Sequence, residues 1–138
     1  MWIIYAFGSA FFAGITAILA KIGVKNVESN LATAIRTIVV SIFAWMMVFV
    51  VGSYDTIGNI SGYTFVFLIL SGLATGASWI CYYKALQDGE VAVVVPVDKL
   101  SILVTIAFSY FVLKEKISKK SGLGLVLITI GTMLLVFL

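Results

Sequence analysis

Long apolar stretches separated by short polar ones dominate this chain. A bilayer core of about 30 Å is crossed by about 20 helical residues, and a helix satisfies its own backbone hydrogen bonds inside lipid. Transmembrane strands are disfavoured, because they alternate in character over about ten residues and these stretches stay apolar for longer. The pattern therefore predicts an all-α integral membrane protein with five transmembrane helices. Their predicted ranges are 2–22, 31–51, 63–86, 91–113 and 121–138.

The composition also indicates a membrane location. Hydrophobic residues make up 62% of the 138 residues and charged residues 11%, whereas roughly a quarter of the residues in soluble domains are charged. We therefore expect one domain over residues 1–138, embedded in the lipid bilayer of the cell membrane. The first apolar stretch has no basic leading region, so we expect a retained helix and not a signal peptide.

Several chemical classes are disfavoured by residues that the chain lacks. It has no histidine and one cysteine, Cys81, so neither a zinc or iron site nor an internal disulfide is expected. No nucleophile stands beside a base in the sequence. The net charge is +3 and the basic residues are spread over several loops, which gives no support for binding nucleic acid. We expect no enzyme activity and no cofactor.

Lysine and arginine are divided evenly between the two sides that a five-helix topology defines. An excess of these residues normally marks the cytoplasmic side. Either the chain inserts in both orientations, or the dense lysine cluster after the fourth helix holds that loop in the cytoplasm. One side has Lys21, Lys25, Arg36 and Lys84, and the other has Lys114, Lys116, Lys119 and Lys120.

Two charged residues, Asp98 and Lys99, interrupt the fourth apolar stretch. Each charge near the bilayer centre costs about 2.5 to 3.5 kcal/mol on insertion scales, so we expect polar surroundings for both. Neighbouring residues point about 100° apart on a helix, so the two are predicted to seek separate partners. In one interpretation, Asp98 binds a cation or a proton in a polar cavity while Lys99 balances its charge. In the other, Asp98 of one copy pairs with Lys99 of a second copy.

Pro96 lies two residues before Asp98. It removes a helical hydrogen bond and leaves the carbonyl of Ala92 without its donor, which predicts a kink or a short break there. Transporters place binding sites at broken helices beside charged groups, although a proline kink without a ligand is also common in membrane helices.

Three aromatic residues of the third helix, Trp79, Tyr82 and Tyr83, share one face because they are three and four positions apart. Such rings either line a substrate cavity or belong to the aromatic belt at the membrane surface. We place Trp79 and Tyr82 on the pathway and Tyr83 in the belt. Arg36 is expected to extend to the lipid headgroups, with lining of the pathway as the alternative.

Small residues recur on the faces of the third and fifth helices. Gly72 and Gly76 form a GxxxG pattern in the third helix, and Gly124 and Gly131 lie in the fifth. Faces of this kind let helices approach closely, so we expect these four glycines to serve packing.

A series of features from Trp79 onward resembles the EamA family of the drug/metabolite transporter superfamily. The resemblance covers residues 79–138 well, and the first half of the chain matches mainly in its helix pattern and in Arg36. The matching features are Tyr82 and Tyr83 before Ala85 and Leu86, the short acidic glycine loop after them, the helix with Pro96, the run of Leu113, Lys114 and Glu115, and Gly122 and Gly131.

This resemblance implies a protein with two oppositely oriented five-helix repeats that moves metabolites, often outward. One repeat is present here, and the loop charges are balanced, so we expect half of a ten-helix inverted-repeat transporter formed by an antiparallel homodimer. The expected activity is secondary-active export of a small metabolite or drug-like solute by alternating access, with protons as the candidate coupling ion through Asp98. The alternatives are a passive dual-topology channel and a non-transporting subunit of a larger membrane complex.

Overall fold

The structure is a computed structural model that describes residues 1–137, and its regular elements within that range are all helical. Five stretches are long and apolar enough to cross a membrane, with residues 91–111 counting as one. The prediction of an all-α membrane protein with five spanning helices is confirmed; Leu138, the predicted last residue of the fifth span, lies outside the described residues. The elements are α1 (Trp2–Gly23), α2 (Ser29–Val51), a 3₁₀ segment (Ser53–Asn59), α3 (Gly62–Asp88), α4 (Val91–Asp98), α5 (Ser101–Phe111) and α6 (Lys119–Phe137).

Helix α2 begins two residues earlier than predicted because the chain supplies a cap in front of it. The carboxylate of Glu28 accepts hydrogen bonds from the backbone N–H of Leu31, at 3.2 Å, and from the side-chain amide of Asn30, at 2.5 Å. Hydrogen bonds from the backbone of Asn30, and to a smaller extent of Leu31, lower the pKa of the exposed Glu28 carboxyl. At the other end, Gly52 adopts a left-handed conformation with φ 82°, which glycine enters without strain.

Residues Met1–Gln87 form one compact unit. Two side chains tie the end of α3 to the end of α1 and the turn that follows it. The ammonium group of Lys21 donates to the carbonyl of Leu86, and the side-chain amide of Gln87 donates to the carbonyl of Val24, at 2.9 Å, and to that of Val27. Carbonyls in the last turn of a helix have no intrahelical partner, so the bond from Lys21 satisfies the carbonyl of Leu86 near the end of α3.

The buried residues of this unit lie at the same end. They come from the second half of α1 and the residue after it, the first turns of α2 and the last turns of α3: Ala17, Val24, Ser29, Thr33, Tyr83 and Leu86. Most large apolar side chains elsewhere are exposed, including Phe11 at 66% and Leu73 at 67%. Since exposed apolar surface of this extent is not found on monomeric soluble proteins, lipid or another membrane chain must cover it.

Residues Asp88–Leu138 form the second unit, in which α4 packs against α6 and Thr132 is buried. The fourth predicted helix is interrupted, but at Lys99 and Leu100 and not at Pro96, which stays inside α4. At the interruption, the N–H of Leu100 donates to the carbonyl of Val97 at 3.0 Å, an i to i+3 bond. A tight turn of this kind keeps the backbone paired at the interruption itself, as a membrane interior requires.

The fourth span also ends earlier than predicted, at Phe111 and not at residue 113. Lys114 adopts a left-handed conformation with φ 56°, and the chain then turns back on α5. The N–H of Glu115 donates to the carbonyl of Ser109 at 3.1 Å, and the hydroxyl of Ser109 donates to the Glu115 carboxylate. The single domain over residues 1–138 stays a prediction.

Candidate functional site

Arg36 and Trp79 meet inside the first unit. Arg36 lies about 10 Å along α2 from its start at Ser29, and the carbon atom of its guanidinium is 3.4 Å from the centroid of the Trp79 ring. A guanidinium over an indole face is attracted by the negative charge density of the ring. The sequence-based expectation was that Arg36 extends to the headgroups; in the structure its guanidinium instead contacts α3. That Arg36 lines the pathway stays a prediction.

The three aromatic residues of α3 form one cluster, as their spacing predicted. The ring of Trp79 lies 5.2 Å from that of Tyr82 and 5.3 Å from that of Tyr83, both in edge arrangements. Tyr83 is only 4% exposed, so its predicted place in the aromatic belt is wrong. The chain itself covers Tyr83 because the end of α3 is tied to the end of α1.

A cavity of about 340 Å³, lined by both hydroxyl-bearing and apolar residues, adjoins the Arg36–Trp79 pair. Its hydroxyl groups come from Thr33 and Thr37 of α2 and from Ser71 and Thr75 of α3. We refer to this space, with Arg36 and Trp79, as the α2–α3 cavity. The sequence analysis missed the four hydroxyl residues. Their signal is the spacing of four within each helix, which places Thr33 above Thr37 and Ser71 above Thr75.

The threonines of this cavity are oriented by their own helices. The hydroxyl of Thr33 donates to the carbonyl of Ser29 at 2.9 Å, that of Thr37 to the carbonyl of Thr33 at 2.7 Å, and that of Thr75 to the carbonyl of Ser71 at 2.8 Å. Each of these threonine hydroxyls therefore donates its hydrogen bond to the backbone of its own helix. Its oxygen lone pairs stay available as hydrogen-bond acceptors.

Arg36 also borders a second cavity, of about 360 Å³, whose other lining residues are largely apolar. It lies among α1, α2 and α3 and includes Leu19, Ile35 and the ring of Tyr83. Arg36 thus separates a hydroxyl-lined space from an apolar one. A solute with a polar end and an apolar end would find a matching environment on each side of this residue.

Asp98 and Lys99, in the other unit, are paired with each other. The ammonium nitrogen of Lys99 lies 3.7 Å from a carboxylate oxygen of Asp98, and their side chains are 59% and 37% exposed. The prediction that they seek separate partners is wrong. It assumed regular helix at both residues, whereas α4 ends at Asp98 and the long stem of Lys99 reaches back over the turn.

The four glycines that were predicted to serve helix packing have no neighbouring helix against them in the described part of the single chain. A methyl group added at Gly72, Gly76, Gly124 or Gly131 would meet no neighbouring atom within 4 Å, apart from its own helix and chain neighbours. Gly72 and Gly76 instead line the α2–α3 cavity. Packing of these glycines against a second copy stays a prediction. Within residues 1–137, no group of histidine, cysteine and acidic side chains is placed to hold a metal ion.

We expect the contact between Arg36 and Trp79 to stabilise the fold measurably. In a double-mutant cycle with Arg36→Gln and Trp79→Leu, the coupling free energy should be about 1 kcal/mol, since a partly buried cation–π pair is worth roughly 0.5 to 2 kcal/mol. Unfolding in mixed micelles by increasing SDS measures it. Trp45→Leu is the matched control, because Trp45 contacts Phe49 and not Arg36. If the coupling free energy between Arg36 and Trp79 were no larger than that between Arg36 and Trp45, the stabilising contact would be contradicted.

Comparisons with known proteins bear on what such a chain does. The model of the EamA-like transporter family matches residues 1–137. A Sinorhizobium protein named as an uncharacterized transporter in the cobO 3′ region is 43% identical over 134 residues, which cover 97% of this chain and 95% of that protein. A Methanocaldococcus jannaschii protein, named as uncharacterized protein MJ1333.1, is 29% identical over 103 residues, 68% of this chain and 75% of that protein. No solved structure matches the chain.

Proposed function

Since the chain belongs to the EamA-like transporter family and is a multi-pass membrane transporter of the drug/metabolite type, we propose that it exports a small metabolite or drug-like solute by secondary-active transport. The exporter works by alternating access in the cell membrane, as an antiparallel homodimer of ten helices. Two five-helix chains of opposite orientation supply the inverted repeats that rock about a central site.

The length of the Sinorhizobium relative supports one five-helix unit per chain. The alignment covers 95% of that relative, so it too has the length of a single unit. The balance of basic residues between the two sides supports insertion in both orientations, because no excess of positive charge selects one.

The position of the Asp98–Lys99 pair is the main observation that supports the proposal of a homodimer. Asp98 lies about 10 Å along the Val91–Phe111 span, and in the single chain both side chains are exposed. Exposure of two charges to hydrocarbon is unfavourable by several kcal/mol. In the proposed dimer a second copy covers them or encloses them in a watery cavity, and the transport pathway runs between the copies.

The proposed pathway is built from six residues with distinct roles. Asp98 takes up the coupling proton, and Lys99 balances its charge in the deprotonated state. The interruption after Pro96 gives the helix a place to bend as access alternates. Trp79, Tyr82 and Arg36 contact the solute.

Labelling of single cysteines tests the dual topology. In a Cys81→Ser background, Asn26→Cys and Asn59→Cys place exposed thiols in the loops after α1 and α2, on opposite sides of the membrane, without changing the charge balance. In intact cells, a membrane-impermeant maleimide should label about half of the molecules of each variant if both orientations are equally favoured.

The matched pair makes the outcome unambiguous. A fixed topology would give near-complete labelling of one variant and protection of the other. Labelling after the membrane is permeabilised should be complete for both, which controls for thiol reactivity. Complementary all-or-none labelling in intact cells would exclude the antiparallel homodimer.

A further inference from the structure

We propose that the α2–α3 cavity binds the carboxylate group of the solute, and that the solute also carries a hydrogen-bond donor such as a hydroxyl. This inference rests on the proposed function in one respect only, that a solute enters the protein. It assigns the charge of the solute, which neither the family match nor the relatives specify.

The first argument is the unmatched charge of Arg36. Within Met1–Gln87, no carboxylate lies within ion-pair distance of its guanidinium, and the Trp79 contact occupies a face of the group and none of its N–H donors. In the described chain, every side-chain polar atom that is buried from solvent has a hydrogen-bond partner. The unpartnered N–H groups of Arg36 are therefore not buried, and a ligand can reach them. An exposed fork of donors in an apolar span favours a ligand with two acceptor atoms in one plane, which a carboxylate provides.

The second argument is the orientation of the threonines. The hydroxyl groups of Thr33, Thr37 and Thr75 donate to backbone carbonyls and leave only lone pairs for a ligand. A carboxylate alone would gain nothing from them. A solute that also has an O–H or N–H group pairs its acceptor end with Arg36 and its donor end with the threonines, so both ends are satisfied.

Charge and volume disfavour large organic cations as the solute. An organic cation would be repelled by Arg36, because like charges a few ångströms apart interact strongly in a medium of low dielectric constant. A cavity of about 340 Å³ lies at the lower end of the range for small-molecule sites, roughly 300 to 1,000 Å³. Both observations favour a small hydroxylated or aminated acid over a large lipophilic cation.

The Arg36–Trp79 contact provides a reporter of binding. Trp2→Phe and Trp45→Phe leave Trp79 as the sole tryptophan of the chain. Since the guanidinium lies 3.4 Å from the ring centroid, a carboxylate that draws it away changes the fluorescence of Trp79. The protein is reconstituted in nanodiscs and titrated with 3-hydroxybutyrate, butyrate and 3-hydroxybutyramide to about 100 mM, where a ligand with Kd of ~10 mM is saturated.

We expect a saturable response to 3-hydroxybutyrate and a response to butyrate about fivefold weaker in affinity, because one hydrogen bond is lost. The uncharged isostere 3-hydroxybutyramide should give none. Arg36→Gln should abolish the response, and Arg36→Lys should retain a weakened one. Thr37→Val with Thr75→Val, a nearly isosteric change, should remove the preference for 3-hydroxybutyrate over butyrate, which tests the site even if Arg36→Gln fails to fold.

The outcomes separate this inference from the proposed function. The inference is overturned by an absent response to both carboxylates, by an equal response to the amide, or by an unchanged response in Arg36→Gln. Selective carboxylate binding without transport of any solute in liposomes would refute the transporter and leave the site. Transport of cations that is unaffected by Arg36→Gln would leave the transporter and refute the site.

Discussion

Replacement of Asp98 by asparagine should abolish the ability of the reconstituted protein to build a solute gradient from a pH gradient. If one proton exchanges for one solute molecule, a pH difference of one unit sustains about a tenfold solute gradient, equivalent to ~1.4 kcal/mol. Asparagine is close to aspartate in shape but cannot exchange a proton, so the Asp98→Asn protein should sustain no gradient. Solute accumulation in liposomes at a fixed pH difference measures this.

Exchange of solute down its own gradient should survive the same substitution. This separates lost coupling from lost folding, and saturable exchange would also exclude a passive channel. Asp55→Asn is the matched control, because Asp55 lies in the exposed 3₁₀ segment outside the spans and should leave accumulation unchanged. Full accumulation by the Asp98→Asn protein would remove Asp98 from the coupling mechanism.

The observed ion pair also makes the structural alternative testable. If Asp98 serves only to neutralise Lys99, the substitution should weaken the dimer and reduce coupled accumulation and downhill exchange alike. The double variant Asp98→Asn, Lys99→Gln should then restore both, because no unpaired charge remains. Restored exchange without restored accumulation would assign Asp98 to coupling.

Substitution of Leu86 by alanine should destabilise the first unit by about 2 kcal/mol. Leu86 is 0% exposed, and large-to-small changes at such positions cost roughly 2 to 5 kcal/mol in soluble proteins. We expect the lower end, because the unfolded chain in a membrane already has apolar surroundings and only the packing contacts are lost. Unfolding by SDS in mixed micelles gives the free energy change.

Leu73→Ala in the same helix provides the control. Leu73 is 67% exposed, so its truncation removes few contacts within the chain and should change stability by less than about 0.5 kcal/mol. Equal destabilisation by the two substitutions would show that the end of α3 is not the packed part of this unit.

Features that depend on one apolar segment alone were predictable from the sequence. Features that depend on contacts between helices were not. The break in the fourth helix was expected, but its position after Asp98 depends on i to i+3 hydrogen bonds that the sequence pattern does not specify. Likewise, the spacing of Trp79, Tyr82 and Tyr83 indicated a shared face. It did not indicate that Tyr83 would be covered, which depends on the contacts of Lys21 and Gln87 with residues far away in the sequence.

The sequence by itself determined the five membrane spans, the even split of loop charges and the charged pair inside an apolar helix. These follow from local properties, because a helix in lipid satisfies its backbone internally and needs only length and apolar character. Tertiary structure alone decided that Arg36 meets Trp79 and that four hydroxyl groups surround the adjoining space. The register between α2 and α3 sets these contacts, and no periodicity within either helix encodes which of its residues stand opposite the other.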